Sequence, residues 1–226
     1  METTKNNFKY YDIITGLFVA VLIISNIVST KVAKIGPFNF DGGNILFPIA
    51  YIFGDILTEV YGYAKSRRII WIGFGSLALM ALAFVIVQQL PPAQDWPNQQ
   101  AYESILGFVP RLVIASMVAY FLGEFSNSYI LAKMKIWSNG KKLWQRTIGS
   151  TLVGEAIDTS LFSLIAFYGV IPMGGLLNLM ATIYVFKVSY EILATPFTYK
   201  IVNFLKKAEG VDVYDTNTNF NPFKVQ

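Results

Sequence analysis

Long apolar runs separated by short polar stretches dominate the sequence. A helix that crosses a bilayer needs roughly 20 mostly apolar residues. Six runs approach or exceed that length, which predicts an all-α membrane protein with six transmembrane helices. The runs cover about residues 13–29, 45–61, 69–90, 105–131, 148–171 and 174–205.

The polar stretches predict little structure outside the membrane. Residues 32–40 alternate in polarity around Gly36-Pro37, and Asp41-Gly42-Gly43 follows. This pattern predicts either a short hairpin over the mouth of the bundle or an irregular loop. One membrane domain is expected over residues 1–210, and the polar tail 211–226 is expected to be disordered.

Basic residues concentrate in alternate connections between the runs. The positive-inside rule then places both termini in the cytoplasm of a multi-pass protein of the cell (inner) membrane. Lys31 and Lys34 fall on the outer side as a small exception. The cytoplasmic set follows the second, fourth and sixth runs and comprises Lys65, Arg67, Arg68, Lys133, Lys135, Lys141, Lys142, Arg146, Lys206 and Lys207.

Composition narrows the chemistry. Hydrophobic residues make up 54% and charged residues 14% of the 226-residue chain, against roughly 25% charged in soluble domains. The absence of cysteine and histidine removes thiolate chemistry, the commonest metal ligand and the commonest general base. No metal, cofactor or enzymatic activity is expected. An intramembrane aspartyl enzyme using Asp55 and Asp158 is a weak alternative, and a purely structural membrane scaffold is weaker still.

Charged residues inside the apolar runs carry most of the information. Each costs at least ~2.5–3.5 kcal/mol at the bilayer centre, so such residues are expected to face a polar interior and to be functional by default. A purely structural role as polar contacts between helices is the alternative, with Arg111 and Lys187 the main candidates. Six acids outnumber two cations, which favours a functional chamber: Asp55, Glu59, Arg111, Glu124, Glu155, Asp158, Lys187 and Glu191.

Four stretches resemble the queuosine precursor transporters, also called vitamin uptake-like transporters. The most specific is FPIAYIFGDILTEVYGYAKSRRIIW at 47–71, where an Asp-x-x-Thr-Glu helix runs into Tyr-Gly and a basic turn. The others are PRLVIASMVAYFLGEFSN at 110–127, STLVGEAIDTSLFSLIAF at 150–167 and VFKVSYEILATPFTYKIV at 185–202.

This resemblance implies a bundle similar to the substrate-binding subunits of energy-coupling-factor transporters. It also implies uptake of 7-cyano- or 7-aminomethyl-7-deazaguanine, or of queuine, by alternating access through a central polar site. Glu124 and Glu155 stand where family members often carry amides, and Asn127 where an acid is common. The expected partners are a purine-like base and the lipid bilayer, without nucleic acid; a homo-oligomer is compatible with the sequence.

The chemistry of a deazaguanine suggests which residues bind it. One carboxylate can accept its ring N–H and amino group together, and its flat ring favours aromatic faces. The acid excess mildly favours the cationic aminomethyl form. The expected substrate-binding residues are Glu124, Asn127, Glu155, Asp158, Lys187, Asp55, Tyr120, Tyr51, Phe47, Phe162 and Tyr184, and Thr58, Glu59, Arg111 and Glu191 are expected signature or gating residues.

Two alternatives stay open at this point. Asp55 and Lys187 form a gating pair or contact the substrate directly. The protein either transports alone or is the substrate-binding subunit of an ATP-driven vitamin importer, because it lacks a Walker motif of its own.

Overall fold

The computed structural model describes residues 8–35, 38–169 and 172–224. They form an α-helical bundle with one β-hairpin and a 3-10 turn at Gly42–Ile45. The elements are α1 (Tyr11–Val28), β1 (Val32–Ile35), β2 (Phe38–Asp41), α2 (Phe47–Tyr61), α3 (Tyr63–Gln88), α4 (Gln99–Leu106), α5 (Val109–Trp137), α6 (Leu143–Phe167) and α7 (Met173–Glu209).

Five helical segments are long and apolar enough to cross a membrane: α1, α3, α4 with α5, α6 and α7. The multi-pass helical membrane protein is therefore confirmed. Helix α2 has 15 residues and is about 22 Å long at 1.5 Å per residue, shorter than a hydrocarbon core of roughly 30 Å. It is nevertheless mostly buried, so it lies inside the bundle. A sixth span remains a prediction.

Helices α5 and α6 approach each other closely through two glycines. A Cβ on Gly123 would lie 2.9 Å from the Gly154 carbonyl oxygen, and a Cβ on Gly154 would lie 3.0 Å from the Gly123 carbonyl oxygen. Small residues allow helix backbones to approach in this way. The contact brings Glu124 of α5 and Glu155 of α6, which follow the two glycines, into the same layer of the bundle.

The hairpin after α1 is a small departure from an all-α fold. Strands β1 and β2 pair antiparallel, which confirms the hairpin over the irregular loop; Gly36 and Pro37 lie outside the described residues, as does Ile171 at the end of the fifth predicted span. A Cβ on Gly42 would lie 2.5 Å from the Val28 carbonyl oxygen. The chain therefore turns tightly past the end of α1 and enters the bundle.

The tail after α7 packs against the bundle, in contrast to the disorder expected from its polar composition. Arg67 Nη1 donates to the carbonyl oxygens of Asn219 and Asn221 at 2.6 and 2.7 Å. Trp71 Nε1 donates to the carbonyl oxygen of Pro222 at 2.7 Å. Side-chain donors on α3 thus satisfy carbonyl oxygens of the tail backbone. The amino-acid composition of the tail does not reveal these contacts.

A second anchor lies where α2 meets α3. The buried carboxylate of Asp215 accepts hydrogen bonds from the Tyr63 backbone N–H at 3.0 Å and from Thr218 Oγ1 at 2.6 Å. Gly62, which alone joins the two helices, has φ +84°, and a Cβ there would lie 2.7 Å from Val213 Cγ1. The tail therefore fits against a turn that only glycine allows.

Candidate functional site

The charged residues predicted at membrane depth separate into two sets and one outlier. Arg111 is exposed and has no ion pair among the described residues, so it does not belong to the site. The central group consists of Asp55, Glu124, Glu155, Asp158, Lys187 and Glu191. The Glu59 cluster consists of Glu59, Lys135, Arg146, Lys206 and Asp212.

Lys187 is the cation of the central group. Its Nζ lies 2.7 Å from Asp158 Oδ2 and 2.9 Å from Glu155 Oε2, and all three residues are buried. The two acids are three positions apart on α6 and therefore face the same way. Lys187 thus neutralises acids of α6, and among the described residues it forms no ion pair with Asp55, which was one of the two roles left open for these residues.

A narrow cavity opens beside this pair. The space between its lining atoms is about 340 Å³ with the solvent at its open mouth included, but the enclosed part is only about 20 Å³, room for about one water molecule. A larger ligand therefore requires the lining side chains to move apart. The cavity lining combines a carboxylate, an ammonium group, hydroxyls and aromatic rings. The lining residues are Asn44, Phe47, Ser116, Tyr120, Asp158, Thr159, Phe162, Ile183 and Lys187.

Aromatic rings surround the ammonium group of Lys187. Its Nζ lies 5.8 Å from the ring centroids of Phe47 and Tyr51. Tyr51 and Tyr120 pack edge to face with centroids 5.5 Å apart. A flat, polar ligand would therefore meet both ring faces and hydrogen-bonding groups in this wall.

The remaining acids lie deeper in the bundle. Asn127 Nδ2 donates to Asp55 Oδ1 at 2.7 Å, and Ser128 Oγ donates to Glu124 Oε1 at 3.2 Å. Gly54 makes room for Glu124, because a Cβ on Gly54 would collide with the Glu124 carboxylate. Thr58, a signature residue, donates to the Ser128 hydroxyl at 3.1 Å and so supports this layer from α2.

Several buried polar atoms of the central region have no hydrogen-bond partner among the described residues. They are Tyr51 OH, Asp55 Oδ2, Tyr120 OH, Glu124 Oε2, Asn127 Oδ1 and Glu191 Oε1. Leaving a buried polar group unsatisfied costs about 1–3 kcal/mol, so such groups usually mark a functional requirement or a bound species.

Not every predicted residue joins the site. Tyr184 donates its hydroxyl to the Leu152 carbonyl oxygen at 3.1 Å and bridges α7 to α6 away from the cavity. The described lining also includes residues that were not among the predicted ones. Helical spacing could have indicated Ser116, four positions before Tyr120, and Thr159, four positions after Glu155. No sequence pattern indicated Asn44, in the 3-10 turn, or Ile183.

The Glu59 cluster is a dense ionic network. The Glu59 carboxylate binds the Arg146 guanidinium group, lies 2.5 Å from Lys206 Nζ and 3.4 Å from Lys135 Nζ. Lys135 also donates to the Glu59 carbonyl oxygen at 2.7 Å. Three cations from α5, α6 and α7 therefore converge on one buried acid of α2.

The tail supplies the second acid of this network. Asp212 Oδ1 lies 2.6 Å from Lys135 Nζ and 2.8 Å from Lys206 Nζ. Partial burial acts to raise the pKa of Asp212, but the hydrogen bonds from Lys135 and Lys206 outweigh it and hold the pKa below its ordinary value. The tail is thus tied electrostatically to the ends of α5 and α7.

The cavity and the Glu59 cluster lie at opposite ends of the bundle. Phe47 and Glu59 are 12 positions apart on α2, about 18 Å along the helix axis. Ser116 and Lys135 are 19 positions apart on α5, about 28 Å. The cavity therefore opens toward one end while the ionic network ties four helices together at the other.

Comparison with known proteins identifies the type of molecule. The sequence profile of the putative vitamin uptake transporter family matches residues 41–201, a range that holds all of the central group. The chain belongs to this family. The resemblance seen in the sequence is therefore confirmed, and the family's members are transporters rather than enzymes.

Three curated relatives of this chain have similar names. The chain is 28% identical to a "Probable queuosine precursor transporter" of Bacillus subtilis (strain 168), over 81% of this chain and 82% of the relative. It is 27% identical to the "Queuosine precursor transporter" of Escherichia coli (strain K12), over 68% and 67%. It is 25% identical to a third, from Haemophilus influenzae, over 68% and 64%. No solved structure matches the chain significantly.

Proposed function

We propose that this protein imports a queuosine precursor, a 7-deazaguanine base, across the cell membrane. The observation that carries the proposal is a buried cavity with aromatic and carboxylate walls in a chain whose relatives are named queuosine precursor transporters. Neither part suffices alone: the names do not locate a site, and the cavity does not name its ligand.

The base is held by the wall between α6 and α7. The free oxygen of Asp158 accepts from the ring N–H and exocyclic amino group, and the Lys187 ammonium group donates to the ring carbonyl oxygen. The rings of Phe47, Tyr120 and Phe162 cover the faces of the base. Glu155, bound to the same lysine, sets the position of that ammonium group.

An ammonium group on the ligand would meet the deeper acids. Lys187 neutralises acids of α6 only, so the aminomethyl form of the base has Glu124, directly below Tyr120 on α5, as its counter-charge. We therefore expect the aminomethyl compound to bind more tightly than the cyano compound. Unchanged binding of the aminomethyl compound in both Glu124→Gln and Glu155→Gln would contradict this preference.

Transport follows an alternating-access cycle in six spans, with the short α2 as the second. The positive-inside rule places the Glu59 cluster and both termini in the cytoplasm, so the described conformation has its cavity toward the outside. Release of the base requires the contacts of Glu59 with Arg146 and Lys206 to break. The fold proposed for these spans is that of the substrate-binding subunits of energy-coupling-factor importers.

Thermal unfolding of the purified protein tests the ligand. The cyano and aminomethyl deazaguanines, queuine, guanine and riboflavin are compared; a ligand at 100 times its Kd stabilises by about 2.7 kcal/mol. We expect stabilisation by a deazaguanine, lost in Asp158→Asn and kept in Arg111→Gln, whose side chain is exposed. A response to riboflavin alone would overturn the proposal.

Uptake into proteoliposomes that contain only this protein tests the mode of action. Accumulation or exchange of the base by the lone protein supports an independent transporter. Binding without any transport, restored by an added ATPase module, would make the chain the binding subunit of an ATP-driven importer.

A further inference from the structure

Below the cavity, three acids meet without a cation. Asp55 of α2, Glu124 of α5 and Glu191 of α7 are each at most 2% exposed. None of them forms an ion pair among the described residues, since Lys187 is bound to the acids of α6. We call Asp55, Glu124, Glu191 and the adjoining Asn127 the deep acid site.

These carboxylates cannot all be charged together. Asp55 interacts electrostatically with Glu191 and Glu124, and like charges held close in a medium of low dielectric constant repel strongly. An isolated buried carboxylate already costs so much that it takes up a proton instead. The titratable and charged groups around the site from the neighbouring helices are Tyr51, Glu59, Tyr120, Glu155, Asp158 and Lys187.

The unsatisfied atoms show what the deep acid site lacks. Asn127 gives its Nδ2 hydrogen to Asp55 Oδ1. Within the described part of the chain, its own Oδ1 has no hydrogen-bond partner, and neither do Asp55 Oδ2, Glu124 Oε2 and Glu191 Oε1. All four are acceptors. The deep acid site therefore lacks a hydrogen-bond donor or a positive charge rather than another acceptor. This conclusion comes from the unsatisfied atoms and does not depend on the number of acids nearby.

A proton suits the deep acid site better than a metal ion. Among the described residues, no group of three or more acidic side chains is arranged to hold a metal ion. Protonated carboxyl groups, by contrast, turn acceptors into donors where Asn127 Oδ1 needs one. We propose that the deep acid site binds protons and couples their entry to uptake of the base.

The helices provide a physical link between the two sites. Glu191 lies four positions after Lys187 on α7, so both project from one face. Glu155 pairs with Lys187 at 2.9 Å and also interacts electrostatically with Glu191. A base that binds Lys187 changes the electrostatic potential at Glu191. Protonation of Glu191 in turn changes the electrostatic potential at the bound base.

The proposal rests on the proposed function, so its test separates the two. Uptake of a deazaguanine into proteoliposomes is measured with the outside one pH unit more acidic, with equal pH, with a protonophore, and with a sodium gradient. One proton per base supports about tenfold accumulation per pH unit. Glu191→Gln, whose side chain does not line the cavity, should lose this dependence while keeping thermal stabilisation by the base.

Gradient-independent uptake, or uptake driven by sodium alone, would overturn the proton site. Absence of both exchange and stabilisation would instead overturn the proposed ligand. If the proposed ligand fails, infrared spectroscopy still tests the proton site, because it needs no ligand. The native protein should show the carbonyl stretch of protonated carboxyl groups at neutral pH. This band should be weaker in Asp55→Asn, Glu124→Gln and Glu191→Gln. A native spectrum without this band would also overturn the proposal.

Discussion

The Glu59 cluster and the central group both bury charge, but they balance it in opposite ways. Three cations surround Glu59 and Asp212 at one end of the bundle. The central group has five acids and one cation, Lys187, which pairs with only two of them, Glu155 and Asp158. The first set satisfies its acceptors within the chain, and the second leaves acceptors open.

This difference separates residues that hold a conformation from residues that handle a ligand. A buried acid that is fully paired gains little from any added species, and removing it strands its partners. A buried acid without a cationic partner is stable only when a proton or a bound ligand supplies the missing hydrogen bond or positive charge. The same substitution should therefore have different consequences in the two sets.

Glu59→Gln should have the largest effect on stability. It leaves Arg146, Lys135 and Lys206 around a neutral amide, and breaking a buried pair costs about 3–5 kcal/mol. Glu191→Gln is the matched control, because it neutralises an acid that has no cation and should change stability by less than about 1 kcal/mol. Thermal and denaturant unfolding in detergent compare the two; equal losses would mean that the two sets do not differ as described.

Lys187→Met tests the central cation. A hydrogen bond to a charged group contributes about 1.5–3 kcal/mol, so affinity for the base should fall roughly 10- to 150-fold. Lys200→Met, at an exposed position of the same helix, should bind normally. Equilibrium binding to the deazaguanine measures both variants, and normal binding by Lys187→Met would remove that lysine from the site.

Arg67→Met tests whether the tail is held as the contacts indicate. Loss of the two hydrogen bonds to the tail should cost about 1.5–3 kcal/mol and increase amide hydrogen exchange at residues 219–221. Arg68→Met, one position away and exposed, should leave exchange unchanged. If the tail exchanges equally fast in both variants and in the native protein, the anchor is not formed in the membrane.

Asp212→Asn should have the smallest effect, because this carboxylate is about half exposed and such pairs contribute up to about 1 kcal/mol. Its pKa is lowered in the folded protein, so the contribution is present above the ordinary Asp pKa of about 3.9. It disappears as pH falls through the lowered folded pKa. The melting temperatures of native protein and variant should therefore differ at pH 7 and converge as the pH falls below the lowered pKa of Asp212; a difference that grows in acid would reverse this assignment.

Sequence reasoning predicted what one helix shows by itself. Apolar runs identified the long helices, and spacings of three and four residues placed Tyr120 with Glu124 and Glu155 with Asp158 on common faces. It did not predict which helices meet. Lys187 pairs with α6 rather than with Asp55, and Arg111 points away from the site, because partner choice depends on packing between helices that are distant in sequence.

Contacts of the backbone were the least predictable. The carbonyl oxygens of Asn219 and Asn221 are bound by Arg67, yet every residue type offers the same carbonyl oxygen, so no pattern in the tail indicates the contact. Glu59 likewise acquires partners from three helices, each far away in sequence. Several basic positions that the sequence analysis interpreted as orientation signals also form ion pairs and hydrogen bonds inside the bundle, which no pattern in the sequence indicated.

The contact of Trp71 with the tail also has a practical consequence. Its indole N–H binds the Pro222 carbonyl oxygen, and its ring lies 6.1 Å from that of Phe223. The other three tryptophans, Trp96, Trp137 and Trp144, are exposed, and replacing them with phenylalanine would leave Trp71 as the single indole fluorophore. Detachment of the tail would then change the emission of that one residue, so attachment of the tail could be followed optically without a label.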